Sequence, residues 1–194
     1  MPNFLDQLNP AQLEAATHIN GPLLVLAGAG SGKTRVLTAR IAYLLRQGAA
    51  PWSILAITFT NKAAGEMKER VCRMVGDRAG DIWLSTFHAF CARLLRCEAD
   101  HLAGLEKNFV IYDAGDSLAL IKSCLRELGL DEKHYPPAGV QAAISNAKNA
   151  LLDAGAFGRQ ADNFYQQKAA EVYDLYQRKL RKNNAADFDD LLLL

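Results

Sequence analysis

The sequence has 194 residues, half of them apolar, enough to bury one sizeable core with a smaller appended unit, which sets aside disordered and fibrous classes. Its 22 basic and 21 acidic residues nearly cancel, so no global field steers the chain onto nucleic acid or membrane. Any polyanion site must be local.

In chain order, residues 9–18, "NPAQLEAATH", open with Asn then Pro, the N-cap and first-turn arrangement of a short helix. Leu23 to Leu26 follow as an unbroken apolar run, and Ile54 to Phe59 and the shorter Ile82 to Leu84 repeat it. Such runs belong to a sheet covered on both faces. Between them the pattern turns helical, over Lys33 to Arg46 with a stop at Gly48, and over Asn61 to Val75 with a stop at Gly76. The first 85 residues therefore read strand, helix, strand, helix, strand, which predicts a parallel α/β fold.

Past Leu84 the texture changes. Helices are expected over 86–100, 114–128, 137–151 and 161–182, interrupted by the apolar "FVIYD" at 109–113. Gly129, the Pro136-Pro137 pair and "DAGAFG" at 153–158 punctuate them as connectors. At the end, "DFDDLLLL" reads as the capped start of another helix, with Asp187 or Asp189 near the N-cap.

The four cysteines, Cys72, Cys91, Cys97 and Cys124, form no C-x-x-C pair and no paired spacing with histidine, so they read as reduced core thiols. Polar residues break up the first twenty positions, and nowhere do 18 consecutive apolar residues occur. A cytoplasmic protein is expected.

The run "AGAGSGKT", Ala27-Gly28-Ala29-Gly30-Ser31-Gly32-Lys33-Thr34, lies between the first apolar run and the first long helix. In that setting it has the form of a phosphate-binding loop, whose amide N–H groups and helix N-terminus hold an anion. Lys33 would reach the β- and γ-phosphates of a nucleoside triphosphate, and Thr34 would offer its hydroxyl to Mg²⁺. The usual pattern starts with glycine where this chain has Ala27; Gly28, Gly30 and Gly32 still free the backbone. One fold of this kind serves kinases, GTPases, transporters and motors alike.

Three neighbouring segments narrow that choice, and with them the sequence resembles the UvrD/Rep/PcrA family of superfamily-one DNA helicases. "LNPAQLEAA" resembles the family's Q motif, which implies that Gln12 reads the adenine edge, and the resemblance further implies that Arg35 stacks on adenine. "ILAITFTNKAAGEMKERV" resembles motif Ia and "STFHAFCARLLR" motif Ib. They imply single-stranded DNA contacts at Phe59, Thr60 and Asn61, and at Ser85, Thr86, Phe87 and His88. The chemistry suits that role: an aromatic ring for one stacked base and a helix N-terminus for one phosphate. Alone, each of these residues has a plainer reading, with Phe59 and Phe87 in a core, His88 as a cap and Gln12 in solvent.

The resemblance implies a P-loop NTPase of RecA-like parallel sheet plus an all-helical inserted subdomain. It allots residues 1–88 to the first part of the ATP-binding motor domain, 89–184 to the mainly helical insertion and 185–194 to the start of the return. Lys148, Arg178, Lys179, Arg181 and Lys182 would give the insertion a basic face, either toward duplex or single-stranded DNA or simply as a solvated helix surface. ATP and Mg²⁺ are the implied cofactors; single-stranded DNA and duplex junctions are the implied partners.

The family's Asp-Glu pair and second motor domain are not among these residues, so the chain is expected to be the front part of such a helicase, binding without unwinding. A nucleotide kinase or GTPase is the rival; "NKAA" at 61–64 is the nearest string to a guanine-reading element, and Ala64 lacks its carboxylate. Since the strand at Leu23 to Leu26 would lack its family neighbour, self-association through that edge is also expected.

Overall fold

The computed structural model describes residues 4–102 and 104–194, with backbone alone at 77 and 78. Residues 1–3 of the expected motor segment lie outside the described residues. The chain divides into two compact units, the first ending at Phe90 and the second spanning Cys91–Leu194.

In the first unit, α1 (Pro10–Thr17) starts where Asn9 and Gln12 form a reciprocal capping box with proline in the first turn. Helix α2 (Lys33–Arg46) buries Val36, Ala39, Ile41, Ala42 and Leu45, the three- and four-residue spacing of one helical face. Strand β1 (Leu55–Thr58) leads into α3 (Asn61–Val75), whose N-cap Thr60 accepts from the Ala63 N–H. Gly76, at φ +69°, closes α3 in a conformation that favours glycine. Strand β2 (Trp83–Thr86) runs parallel to β1 and passes directly into α4 (Phe87–Cys97), which from Cys91 on belongs to the second unit. Ile41 and Leu45 of α2, Ala56 of β1, Met67 and Val71 of α3, and Ile82 make this unit's core.

The expected strand Leu23–Leu26 does not form. A strand exists only as part of a ladder, and β1 pairs with β2 alone among the described residues. The apolar run stays unpaired, with Leu24 82% and Leu26 86% exposed. What remains of the expected parallel sheet is two short strands with helices, an α/β unit.

The second unit is helical around a second parallel pair, β3 (Val110–Tyr112) and β4 (Ala185–Asp187). Between them come α5 (Ala114–Glu127), α6 (Pro137–Asn149), α7 (Ala154–Arg159) and α8 (Phe164–Lys182), and α9 (Asp190–Leu193) follows β4. Two elements depart from expectation. Asp153 caps Ala156 and turns the glycine-rich "DAGAFG" into α7, where a connector was expected. Asp187, expected near a helix N-cap, belongs to β4, and α9 begins after Asp189.

Lys148 also departs. It was expected on an exposed basic face, toward DNA or solvent, and is instead buried in the core, because two acids wait for it there. Its ammonium meets Asp187 Oδ2 at 2.6 Å, Asp190 Oδ1 at 2.7 Å and Gln177 Oε1 at 3.0 Å, which uses all three N–H donors. Tyr176 donates to Asp187 Oδ2 at 2.8 Å, and the two aspartates each accept the other's backbone N–H. Burial, with the Asp187 charge, pushes the Tyr176 hydroxyl far above its usual range, so it stays a donor. Burial likewise raises the Asp190 carboxyl, against the pull of Lys148. Of the other expected basic residues, Lys179 pairs with Glu127 at 2.7 Å and Arg178 with Asp174 at 3.0 Å. Burial raises the Cys124 thiol, as suits an inert core cysteine, whereas Cys97 is exposed and does not fit the core reading.

Candidate functional site

The loop 27–34 is built by its glycines. Gly30 at φ +74° and Gly32 at φ +87° turn the chain into α2, and Gly32, as its N-cap, has no side chain to offer the first-turn N–H groups. Gly28 and Gly30 are exposed, and a Cβ at either would meet no neighbouring atom within 4 Å, so the space beside them is open. Lys33 folds back over it, Nζ donating to Ala27 O at 3.0 Å and to Gly28 O at 2.7 Å. Ser31 Oγ donates to the same Gly28 carbonyl at 2.7 Å. Thr34 is exposed at the second position of α2, and Ala29 is exposed at the turn. A cavity of about 280 Å³ adjoins the loop, lined by Leu23, Val25, Lys33, Val36 and Arg40 among others.

Gln12 reaches this loop from α1. Its Nε2 donates to Ser31 O at 3.0 Å while its Oε1 accepts the Asn9 N–H at 3.1 Å. The approach is so close that a Cβ on Gly32 would stand 2.9 Å from Gln12 Nε2. Arg35 Nη2 donates to Gln7 Oε1 at 2.8 Å. The structure thus gathers Gln12, the loop and Arg35 into one place. Sequence reasoning read Asn9 as the helix cap but missed its backbone hold on the Gln12 side chain, although Asn-x-x-Gln before a helix is a legible capping-box pattern, and it missed Gln7.

The second group of expected residues sits where the two strands end. Thr58 and Thr86 are register partners, so Phe59 and Phe87 leave the sheet side by side, ring centroids 5.9 Å apart at 48°. Phe59 is 91% exposed, which rules out its reading as a core aromatic. Each corner is held by a threonine hydroxyl. Thr60 Oγ1 accepts from Ala63 N at 3.1 Å, and Thr86 Oγ1 accepts from Ala89 N at 3.3 Å. Asn61 opens α3 exposed, Ser85 lies opposite Ile57 in the ladder, and His88 is half-buried in α4.

Residues 8–194 match the UvrD/REP helicase N-terminal domain, nearly the whole chain. The chain belongs to that family. Among its curated relatives it is 53% identical to the ATP-dependent DNA helicase PcrA of Bacillus subtilis over 98% of its length. It is 50% identical, again over 98%, to PcrA of Staphylococcus aureus, and 53% identical over 97% to the ATP-dependent DNA helicase UvrD1 of Mycobacterium bovis. It spans about a quarter of the length of these relatives, 25–26%. Neither the family nor these relatives favour the kinase or GTPase reading. As a UvrD/REP helicase N-terminal domain it carries, among the described residues, no helix long and apolar enough to cross a membrane and no metal-holding cluster of His, Cys, Asp and Glu.

Proposed function

We propose that this chain is the nucleotide-binding front part of an ATP-dependent DNA helicase, cytoplasmic, acting in DNA repair or replication and moving 3′ to 5′ along single-stranded DNA. Residues 1–88 form the first part of a RecA-like motor with a P-loop, 89–184 a mainly helical insertion and 185–194 the start of the return.

The observation that carries the reading is the loop in front of α2, with Lys33 resting on two neutral carbonyls of that same loop. Anionic phosphate oxygens are stronger acceptors than carbonyls, because a charge-assisted hydrogen bond is about twice as strong as a neutral one. Lys33 therefore transfers from Ala27 and Gly28 to ATP, while loop amides and the N-terminus of α2 hold the remaining oxygens. The open space beside Gly28 and Gly30 suits a triphosphate, and the exposed Thr34 would hold a Mg²⁺ ion that would supply neutralising charge to the phosphates. Gln12 reads adenine and Arg35 stacks on it.

At the strand ends, Phe59 and Phe87 offer stacking faces to bases, with the α3 N-terminus, Thr60, Asn61, Ser85, Thr86 and His88 lining the strand's path at duplex junctions. Opening and closing against a second motor domain would alternate the grip of these corners. The 194 residues alone bind without turnover, since this family completes its site with residues outside them.

Titration of a fluorescent ATP analogue, with ATPase measured with and without single-stranded DNA, tests the reading. Micromolar binding without turnover is the expected result, and no binding would overturn it. Phe59→Ala in the full-length parent is expected to weaken single-stranded DNA binding by about 1–3 kcal/mol, the worth of one base stack; fluorescence anisotropy with an oligonucleotide measures it. The exposed run Leu23–Leu26 is also a surface through which the isolated chain self-associates.

A further inference from the structure

Helix α1 touches the loop 27–34 near its start and is tied to α2 at its end. At the start, Gln12 Nε2 donates to Ser31 O at 3.0 Å and lies against Gly32, where an added Cβ would stand 2.9 Å from it. The last carbonyls of an α-helix have no intrahelical partner. Arg40 of α2 takes two of those at the end of α1. Its Nη1 donates to Ala15 O at 3.0 Å and also to His18 O, which uses both N–H groups of that nitrogen. A cation is also the favoured charge at a helix C-terminus, where the macrodipole is negative.

Little else holds α1 in place. Its buried residues are two alanines, Ala15 and Ala16, whose small side chains give weak purchase on a neighbour. Arg40 stands about two turns after Lys33 along the same side of α2, and both line the cavity beside the loop together with Ala15, Leu23 and Val25. A guanidinium on α2 thus fastens α1 from behind, while the front of α1 holds the loop.

A cradle of loop amides binds phosphate best when its geometry is set beforehand, since ordering it on binding costs affinity. We infer that Arg40 is a positioning residue for the phosphate loop: it seats α1 on α2, so that Gln12 holds the Ser31 carbonyl and the loop is preformed for phosphates. The effect is blind to the base. It rests on the nucleotide site proposed above.

The test uses the 194-residue chain, with wild type, Arg40→Met and Arg40→Lys compared at a temperature where melting curves show each folded. Methionine keeps the apolar stem and has no N–H to give, whereas lysine keeps a cation with three. Fluorescent ATP and GTP analogues are titrated, and inorganic tripolyphosphate serves as a competitor. Arg40→Met is expected to lower affinity for all three by a common factor of about two to ten, the range for one group ordered on binding, and Arg40→Lys to recover part of it. In the nucleotide-free chain, hydrogen exchange is expected to quicken in α1 while α3 keeps its rates. Unchanged affinity in Arg40→Met, a loss confined to ATP, no recovery in Arg40→Lys, or exchange that quickens in α3 as much as in α1 would each overturn the inference and leave the nucleotide site standing. A wild type that binds none of the three ligands overturns the site, and the inference falls with it.

Discussion

Lys148→Ala is expected to destabilise the helical unit by about 3–5 kcal/mol, the cost of breaking a buried ion pair from one side. The substitution removes one cation and leaves Asp187 and Asp190, both buried, facing each other without it. Urea unfolding followed by the near-ultraviolet signal of the buried Tyr173 and Tyr176 measures the loss. The triple change Lys148→Met, Asp187→Asn, Asp190→Asn is expected to recover part of it, since neutral groups bury at lower cost.

The pH dependence has a defined sign. In the native chain Asp190 is held above its ordinary carboxylate range, chiefly by burial. The stability this contributes is full below the unfolded value and is lost as pH rises through the folded one. In Lys148→Ala the Asp190 carboxyl loses the cation that pulled against its burial and gains more from protonation, so the deficit is greatest at neutral pH and shrinks in acid. A deficit independent of pH would point to lost packing alone.

Lys33→Ala carries the second large effect. A hydrogen bond to a charged group is worth about 1.5–3 kcal/mol, so affinity for an ATP analogue is expected to fall about ten- to a hundredfold. The fold should not notice, because Lys33 is exposed and its partners are two carbonyls of its own loop. Fluorescence titration beside thermal melting separates the two readouts. Unchanged affinity would remove the loop from the proposed site.

The parts of this molecule that were legible in the sequence are those set by local rules. Helices α2 and α3 begin and end where the apolar period and Gly48 and Gly76 placed them, and Asn9-Pro10 placed the start of α1. The neighbourhood of Phe59 and Phe87 was legible too, since parallel strands followed by helices bring their ends together. What escaped depends on distant partners. Leu23–Leu26 has strand composition and no strand to pair with. Strand β4 is three residues, "AAD", held by β3, with nothing local to announce it. Lys148 looks like any surface lysine on a helix until the fold brings Asp187 to it. Its burial is a tertiary fact.

That tertiary fact also bears on how the chain is made. Asp187 follows Lys148 by 39 residues. A ribosome adding about 5–20 residues per second needs roughly 2–8 s to cover that distance. During those seconds α6 exists with a cation on its inward face and no acid to neutralise it, so its burial is unfavourable however well its apolar neighbours pack. Vectorial synthesis is therefore expected to leave the helical unit open until the segment around β4 emerges, with the ion pair as a late clasp on an order of assembly that the finished structure no longer displays.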